Sequence, residues 1–478
     1  MNNLKKTILQ TLITGVLAVA CCIGLLLVSS LTSQQSIQEN AEKSADYFES
    51  AELFEKLGKG KQDATERDNY ADCISTGIAY HLGNTTSVSG TDRSNPFIRI
   101  LEARFTQDEE HFENVDDGLK RAVYEGAEGN RTYSRYWHGG AAVIRLLLPF
   151  FDVEGMRIIF YALGIIINLV WVIFLVIRRE YLLAVPYLLG VDAGKILFGY
   201  TCFEYMYVCL FVNIFSIVIY MIMNQNVKKK ELRFAPEALF LAIGILTCFF
   251  DFLTAETATF TIPAFVSLYV MENALNKPYT IQKEGEDKKK TSPWMYLLRI
   301  GLFWLLGYAF MFLLKWGLCA VVLGPEEARL ALSSIAERTI GEVHETLNTA
   351  SETVGIFDRI SILFERNFAC LYSIPNGTVK GAVRLILFAV PAFFYILWFF
   401  FRDKDSLHGK DKKTGKKEYS FFPVYLTLAV VPILRFLVLS NHSYLHYFFT
   451  YRALMILVMV LAYWFIKTTI LKYFLKSR

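Results

Sequence analysis

The strongest constraint on this chain is a series of apolar runs, each about as long as a helix that crosses a bilayer. A transmembrane helix needs about 20 apolar residues to cross a hydrocarbon core of about 30 Å. Backbone polar groups in lipid must bond internally, which a helix achieves. The sequence therefore predicts an all-α membrane protein with about ten transmembrane helices. The apolar runs are 7–31, 155–177, 181–200, 204–223, 236–252, 257–274, 295–323, 382–401, 421–440 and 453–472.

The spacing of these runs predicts a mainly helical extracytoplasmic domain between the first and second helices. The first run is long and lacks a small-x-small cleavage site, which favours an uncleaved anchor over a signal peptide. The long polar segment after it exceeds the length of an ordinary loop. The predicted parts are 1–31 (cytoplasmic tail and first helix), 32–154 (extracytoplasmic domain), 155–323 (helices 2–7), 324–381 (second extracytoplasmic segment) and 382–478 (helices 8–10 and cytoplasmic tail).

Basic residues between the runs indicate the orientation. Short loops rich in lysine and arginine stay in the cytoplasm. Counting the helices places all the basic clusters on one side, so both termini of this multi-pass protein are predicted to be cytoplasmic, in the cell membrane. The net charge of +4 gives no support for a nucleic-acid partner. The clusters are Lys5–Lys6, Arg178–Arg179, Lys228–Lys230 with Arg233, Lys283 with Lys288–Lys290, Lys404–Lys417, and Lys472–Arg478.

The outer segments contain stretches with apolar residues at helical spacing, at 36–57, 68–81 and 328–349. One interpretation is that they are solvated caps over the membrane helices. The other is that they enclose a site at the membrane boundary, where a lipid-linked substrate meets water and polar residues gather.

An acidic motif begins the second of these stretches. Asp68 and Asp72 are four residues apart, so a helix places both on one face. Paired carboxylates suit a general base or a metal ligand. The alternative is that they only complement the positive end of a helix dipole.

An aromatic motif, residues 133–140, precedes the second membrane run. Tyr136 and Trp137 are typical interface anchors. Arg135 and His138 stand beside two glycines, where backbone can approach a ligand closely. We therefore predict that Arg135 and His138 bind substrate.

Charged residues also occur within or at the ends of apolar runs. Such residues are costly in a membrane and tend to be functional. Asp251 lies at the outer end of the fifth run and is predicted to bind substrate. Lys315 could pair with a carboxylate, bind a phosphate or extend to the interface as an anchor. Asp192 and Lys195 are three residues apart and are expected to neutralise each other.

The turn before the last run collects His442, His446 and Arg452. A histidine pair four residues apart could bind zinc, but no third ligand accompanies it at a recognisable spacing. Recognition of phosphate oxygens fits better, because arginine offers a fixed fork of donors. An interfacial hairpin without function is the alternative.

Two of the eight cysteines, Cys73 and Cys370, fall in predicted outer segments. A disulfide between them is conceivable in an oxidising compartment, but two buried thiols are the favoured interpretation.

The layout of one helix, a long outer loop with an acidic motif, and then many helices resembles the GT-C superfamily. Its members are integral-membrane glycosyltransferases that use polyprenyl-phosphate-linked sugars. The chain is also similar to multi-pass proteins of Gram-positive bacteria that share the outer elements around Asp68, His138, Asp251 and His442. The resemblance implies that Asp68 or Asp72 is the catalytic base. It implies that the donor phosphate is held by Lys315, His442, His446 and Arg452.

The predicted function is therefore transfer of a sugar from a polyprenyl-phosphate-linked donor to an envelope glycan or protein at the outer face of the bilayer. The sequence leaves the cofactor open between none and a divalent metal, and it indicates no metal ligands. A lipid-linked glycan transporter or flippase is one alternative, and it would show internal repeats and charged midplane helices. A non-enzymatic membrane protein with a partner-binding outer domain is the other.

Overall fold

The computed structural model describes residues 3–57, 63–88, 91–108, 114–229, 233–276, 292–339, 355–372 and 421–470. Within these ranges most residues are helical, and strands are almost absent. The helices are α1 (Asn3–Ser30), α2 (Gln34–Ser50), α3 (Asn69–His81), α4 (Pro96–Glu102), α5 (Val115–Tyr124), α6 (Gly139–Leu147), α7 (Val153–Ile177), α8 (Tyr181–Ala193), α9 (Ile196–Gly199), α10 (Met206–Lys229), α11 (Pro236–Phe250), α12 (Glu256–Asn276), α13 (Pro293–Val322), α14 (Pro325–Thr339), α15 (Ile356–Leu371), α16 (Phe422–Val438), α17 (Ser440–Leu445), α18 (Tyr447–Thr450) and α19 (Met455–Phe465).

Five stretches in the described ranges are long and apolar enough to cross a membrane: α1, α7, α10, α13 and the segment Tyr447–Thr469. Three shorter apolar helices, α8, α11 and α16, accompany them. An all-α membrane protein is therefore confirmed. The predicted run 382–401 lies outside the described residues.

The segment between α1 and α7 folds into a small domain in which α2 packs against α5 and α3 against both α5 and α6. Its core takes one apolar stripe from α2, including Ile37, Ala41 and Phe48, and adds Ile78 and Leu119 from its neighbours. The domain confirms the predicted helical character, with one correction.

The helix predicted over 36–57 is wrong at its end. Helix α2 stops at Ser50, and Phe54–Lys56 forms a strand, β1, antiparallel to β2, Glu66–Asp68. The apolar stripe of α2 breaks after Phe48, since Glu52 occupies the next helical position, so further turns would bury no apolar surface. Pairing places Phe54 opposite Asp68, at the point where α3 begins.

The membrane run predicted over 181–200 is also shorter than expected. Helix α8 ends at Ala193, and Lys195 adopts a left-handed conformation with φ of 46°. This conformation cannot continue a right-handed helix. The predicted pairing of Asp192 with Lys195 is present, at 3.4 Å.

The outer segment predicted as helical over 328–349 forms α14, which ends at Thr339; residues 340–354 lie outside the described ranges. Cys73 and Cys370 are separate buried thiols.

One buried arginine joins the small domain to the membrane helices. The Arg145 guanidinium donates to the carbonyl oxygens of Ser29 and Thr32, after the apolar part of α1. It also donates to the carbonyl oxygens of Ala79 and Tyr80 in α3. The domain therefore lies at the end of the bundle where α1 finishes. We call this the domain end, and the opposite end, which carries Arg178 and Arg179, the basic end.

Candidate functional site

Asp68 is the N-cap of α3 and lies between the strand pair and that helix. Its Oδ1 accepts a hydrogen bond from the backbone N–H of Ala71, at 2.9 Å. The side chain is only 4% exposed. Burial raises the pKa of Asp68 from 3.8 to about 7. A carboxylate with this pKa is matched to proton transfer near neutral pH.

Glu204 lies beside Asp68, just before α10 begins, and their side chains share a hydrogen bond. Burial raises the pKa of Glu204 well above its ordinary range, and the neighbouring Asp68 and Asp251 carboxylates raise it further. Two buried carboxyl groups in contact hold one proton between them. Glu204 carries that proton and donates the hydrogen bond to the Asp68 carboxylate. Oε2 of Glu204 has no protein partner.

Asp72, one turn along α3, has a different environment. It is fully buried and forms an ion pair with Arg157 of α7 at 2.6 Å. It also accepts the backbone N–H of Glu204 at 3.1 Å. These contacts occupy both oxygens, so the geometry favours Asp68 as the base and Asp72 as the residue that holds α3 against α7.

The turn 251–254 between α11 and α12 lies between the Asp68–Glu204 pair and the two histidines His442 and His446. Leu253 has a φ of 66°, which is strained for a residue with a branched side chain. Its carbonyl oxygen accepts from both Arg435 and His442. Arg435 is anchored in turn by an ion pair with Glu256 at 2.8 Å.

The predicted histidine pair is assembled, and it includes an arginine that was not predicted. The rings of His442 and His446 lie 4.6 Å apart. Nη1 of Arg338, from α14, lies 2.8 Å from Nδ1 of His442 and 3.4 Å from Nε2 of His446. We call these three residues the histidine–arginine cluster.

The hydrogen bonds of His442 define its tautomer. Nε2 carries the proton, because it donates to the Leu253 carbonyl at 2.9 Å, and Nδ1 is then the acceptor for Arg338. Burial lowers the pKa of His446 to about 3 and that of His442 well below its ordinary value. Both rings are therefore neutral, and Arg338 supplies the positive charge of the cluster.

The aromatic motif lies against the same turn. His138 donates through Nε2 to the Tyr133 carbonyl at 2.7 Å, and its ring lies 5.2 Å from that of Phe252. Nδ1 of His138 is buried without a partner. The Arg135 guanidinium lies 4.6 Å from the centre of the Tyr133 ring. His138 is thus close to the turn 251–254, and its predicted binding of substrate stays a prediction.

Lys315 and Arg452 are positioned differently from the histidine–arginine cluster. Lys315 is fully buried, donates to the carbonyl oxygen of Leu101 at 2.8 Å and lies over the Trp137 ring. Arg452 donates to the Phe448 carbonyl and packs over Tyr205. Both cations are used to bind backbone carbonyls, and their predicted contact with a donor phosphate stays a prediction.

The sequence reasoning missed Glu204, Arg338 and Arg435. Glu204 opens an apolar run, and an acidic residue at that boundary was the available signal. Arg435 is a charge inside the run 421–440, which is equally informative. Arg338 lies in an amphipathic stretch and is indistinguishable by sequence from a solvent-exposed arginine.

Within the described ranges, no group of three or more His, Cys, Asp or Glu side chains is arranged to hold a metal ion. Asp68 and Glu204 share a hydrogen bond, and the Asp251 carboxylate is close enough to raise the pKa of Glu204. No family model, curated protein or solved structure matches the chain.

Proposed function

We propose that this protein is a membrane glycosyltransferase that moves a sugar from a polyprenyl-phosphate-linked donor to an envelope glycan or protein. The proposal includes about ten transmembrane helices, cytoplasmic termini and a domain end that faces outward. The observation that carries it is the buried Asp68–Glu204 pair, in which a pKa of about 7 suits Asp68 to accept a hydroxyl proton.

In the proposed reaction, an acceptor hydroxyl attacks the anomeric carbon of the donor sugar and loses its proton to Asp68. The bond between the anomeric carbon and the phosphate oxygen breaks, and polyprenyl phosphate leaves with the bonding electrons. Glu204 keeps its own proton and holds the Asp68 carboxylate in place. The product is the glycosylated acceptor, and Asp68 returns its proton to water.

The leaving phosphate needs a cation to stabilise its charge. The histidine–arginine cluster is suited to this role, since Arg338 carries a fixed positive charge and its Nε has no protein partner. The turn 251–254 joins this cluster to the Asp68–Glu204 pair, because the Leu253 carbonyl contacts His442 and the Asp251 carboxylate raises the pKa of Glu204.

The test replaces Asp68 by Asn and follows envelope glycan composition in a deletion strain complemented with the variant. Asn retains the side-chain oxygen that caps α3, so the fold should be preserved. Loss of a general base typically lowers turnover by about 10²–10⁴-fold, so incorporation should nearly cease. Asp117→Asn, an exposed acid in the same domain, is the matched control and should retain wild-type incorporation.

The purified protein in detergent separates this proposal from its alternatives. An enzyme still forms glycosylated product there, whereas a flippase has no compartments to connect and forms none. A partner-binding protein predicts wild-type glycans in both Asp68→Asn and the deletion strain. Either of these results would contradict the proposed transfer reaction.

A further inference from the structure

The turn between α13 and α14 holds the start of α14 close to the membrane. Only Leu323 and Gly324 separate the two helices, and two residues span at most about 7 Å. Gly324 has a φ of 111°, a conformation suited to glycine. Both turn N–H groups donate to the Cys319 carbonyl, at 2.8 and 3.1 Å. Helix α14 thus begins directly at the end of a helix long and apolar enough to cross a bilayer.

The docked face of α14 is polar. Glu327 and Arg338 are eleven residues apart, about three helical turns, so they share one face. Glu327 accepts hydrogen bonds from Ser134 in the aromatic motif and from Thr132 just before it. Arg338 contacts His442. A charged residue therefore attaches α14 to the protein near each of its ends.

Among the side chains of α14 that the structure describes, a polar stripe and an apolar stripe are both exposed. Glu326, Arg329 and Ser333 recur at helical spacing along one side, and the first two form an ion pair at 3.6 Å.

Leu332 and Ile335 lie three residues apart on another side, with 55% and 44% of their surfaces exposed. Leu330, beside the polar stripe, is exposed as well. A surface helix in water normally turns its apolar face toward the protein. In α14, by contrast, Leu332 and Ile335 face outward.

We propose that α14 lies in the interfacial region of the bilayer, with Leu332 and Ile335 in contact with acyl chains. The partner is the lipid bilayer, because α14 directly continues an apolar surface: Val321, in the last turn of α13, is 85% exposed. Interfacial helices of this kind bury their apolar side about 5–10 Å into the headgroup boundary. The polar stripe of Glu326, Arg329 and Ser333 then faces water.

This placement gives α14 a defined role beside the site. Arg338 stands on the docked face of the same helix, so a cation is held where the bilayer meets the histidine–arginine cluster. An anionic group carried on a lipid can then reach Arg338 laterally, without leaving the membrane.

The test measures the surroundings of single spin labels on the protein in lipid nanodiscs. The background carries Cys21→Ser, since Cys21 is the exposed native cysteine. Leu332→Cys and Ile335→Cys report on the apolar stripe, and Glu326→Cys and Ser333→Cys are matched controls on the polar stripe. Power saturation with oxygen and with a water-soluble nickel complex should give an oxygen-to-nickel accessibility ratio several-fold higher on the apolar stripe.

Two outcomes would overturn the proposal. High nickel accessibility at 332 and 335 would mean that the stripe faces water. Low accessibility to both reagents would mean that another part of the protein covers it. Neither result depends on glycosyl transfer, so failure here is distinguishable from failure of the proposed reaction.

Discussion

At the scale of single residues, the acidic motif shows how environment separates two identical side chains. Asp68 and Asp72 are one helical turn apart and both are buried. Asp72 faces Arg157, whose charge compensates its own. Asp68 faces Glu204, another carboxyl group. The ion pair with Arg157 makes Asp72 a structural anchor. Asp68, whose neighbour is another acid, is suited to accept a proton near neutral pH.

Replacing Asp68 by Asn should change how stability depends on pH. Asp68 titrates near 7 in the folded protein against an ordinary value of 3.8. Between these values the folded state binds more protons than the unfolded state, so the free energy of unfolding falls as the pH rises. Asn has no proton to lose. The variant should therefore be more stable than the wild type at pH 8, by an amount on the order of a few kcal/mol.

Thermal unfolding in detergent at pH 4 and pH 8 would measure this difference. At pH 4 the two proteins should have similar midpoints. This pH is close to the ordinary pKa of Asp, so the ionisation of Asp68 that favours the unfolded state at higher pH has almost disappeared. A wild-type midpoint that does not fall relative to that of Asp68→Asn between these pH values would show that Asp68 ionises normally. Asp117→Asn should follow the wild type, because the side chain of Asp117 is exposed.

At the scale of elements, α11 and α13 pack through glycines. A Cβ on Gly244 would lie 2.1 Å from the Trp304 carbonyl oxygen, and one on Gly307 would lie 2.2 Å from that of Leu241. Helices in a bilayer gain little from the hydrophobic effect between themselves, so close backbone contact at small residues drives their association. The pair also positions the turn 251–254, since that turn follows α11 directly.

Gly307→Ala should destabilise the protein, by about 1–3 kcal/mol, because a backbone carbonyl cannot move aside as a flexible side chain can. Gly317→Ala on the same helix is the control, since no atom lies within 4 Å of its Cβ position. Alanine favours a helix over glycine by up to about 1 kcal/mol, so the control should keep or slightly raise stability. Equal unfolding midpoints in detergent for the two variants would contradict close packing at Gly307.

At the scale of the whole molecule, polar groups are divided between the two ends of the helices. The small domain and the carboxyl and histidine residues lie at the domain end, attached through Arg145. Arg178 and Arg179 follow α7 at the basic end. The proposed transfer needs the domain end to face outward, where the acceptor is located.

Cysteine labelling on intact cells would measure this orientation. In a Cys21→Ser background, a membrane-impermeant maleimide should label Asp117→Cys in the domain without permeabilisation. Arg178→Cys at the basic end should react only after the membrane is opened. Both positions are exposed, so access by the reagent depends on the side of the membrane. The reverse pattern would place the domain in the cytoplasm and exclude an outward-facing site.

Sequence alone determined the features that depend on neighbours along the chain. Apolar runs predicted α7, α10 and α13 because helix formation and membrane burial both follow local composition. The apolar spacing over 68–81 predicted α3, and the four-residue spacing of His442 and His446 placed both histidines on one face of a helix. Errors fell at helix ends, as in 36–57 and 181–200, where strand pairing or a single left-handed residue interrupts the apolar pattern.

Only the tertiary structure decided which charged residues act together. Glu204 reaches Asp68 across more than a hundred residues, and Arg338 reaches His442 across a similar separation. Burial and the sign of the nearest charge determine whether a carboxyl group is ionised, and both depend on contacts between distant segments. The local pattern identified Asp68 as a candidate, and the fold placed it beside Glu204 rather than beside Arg157.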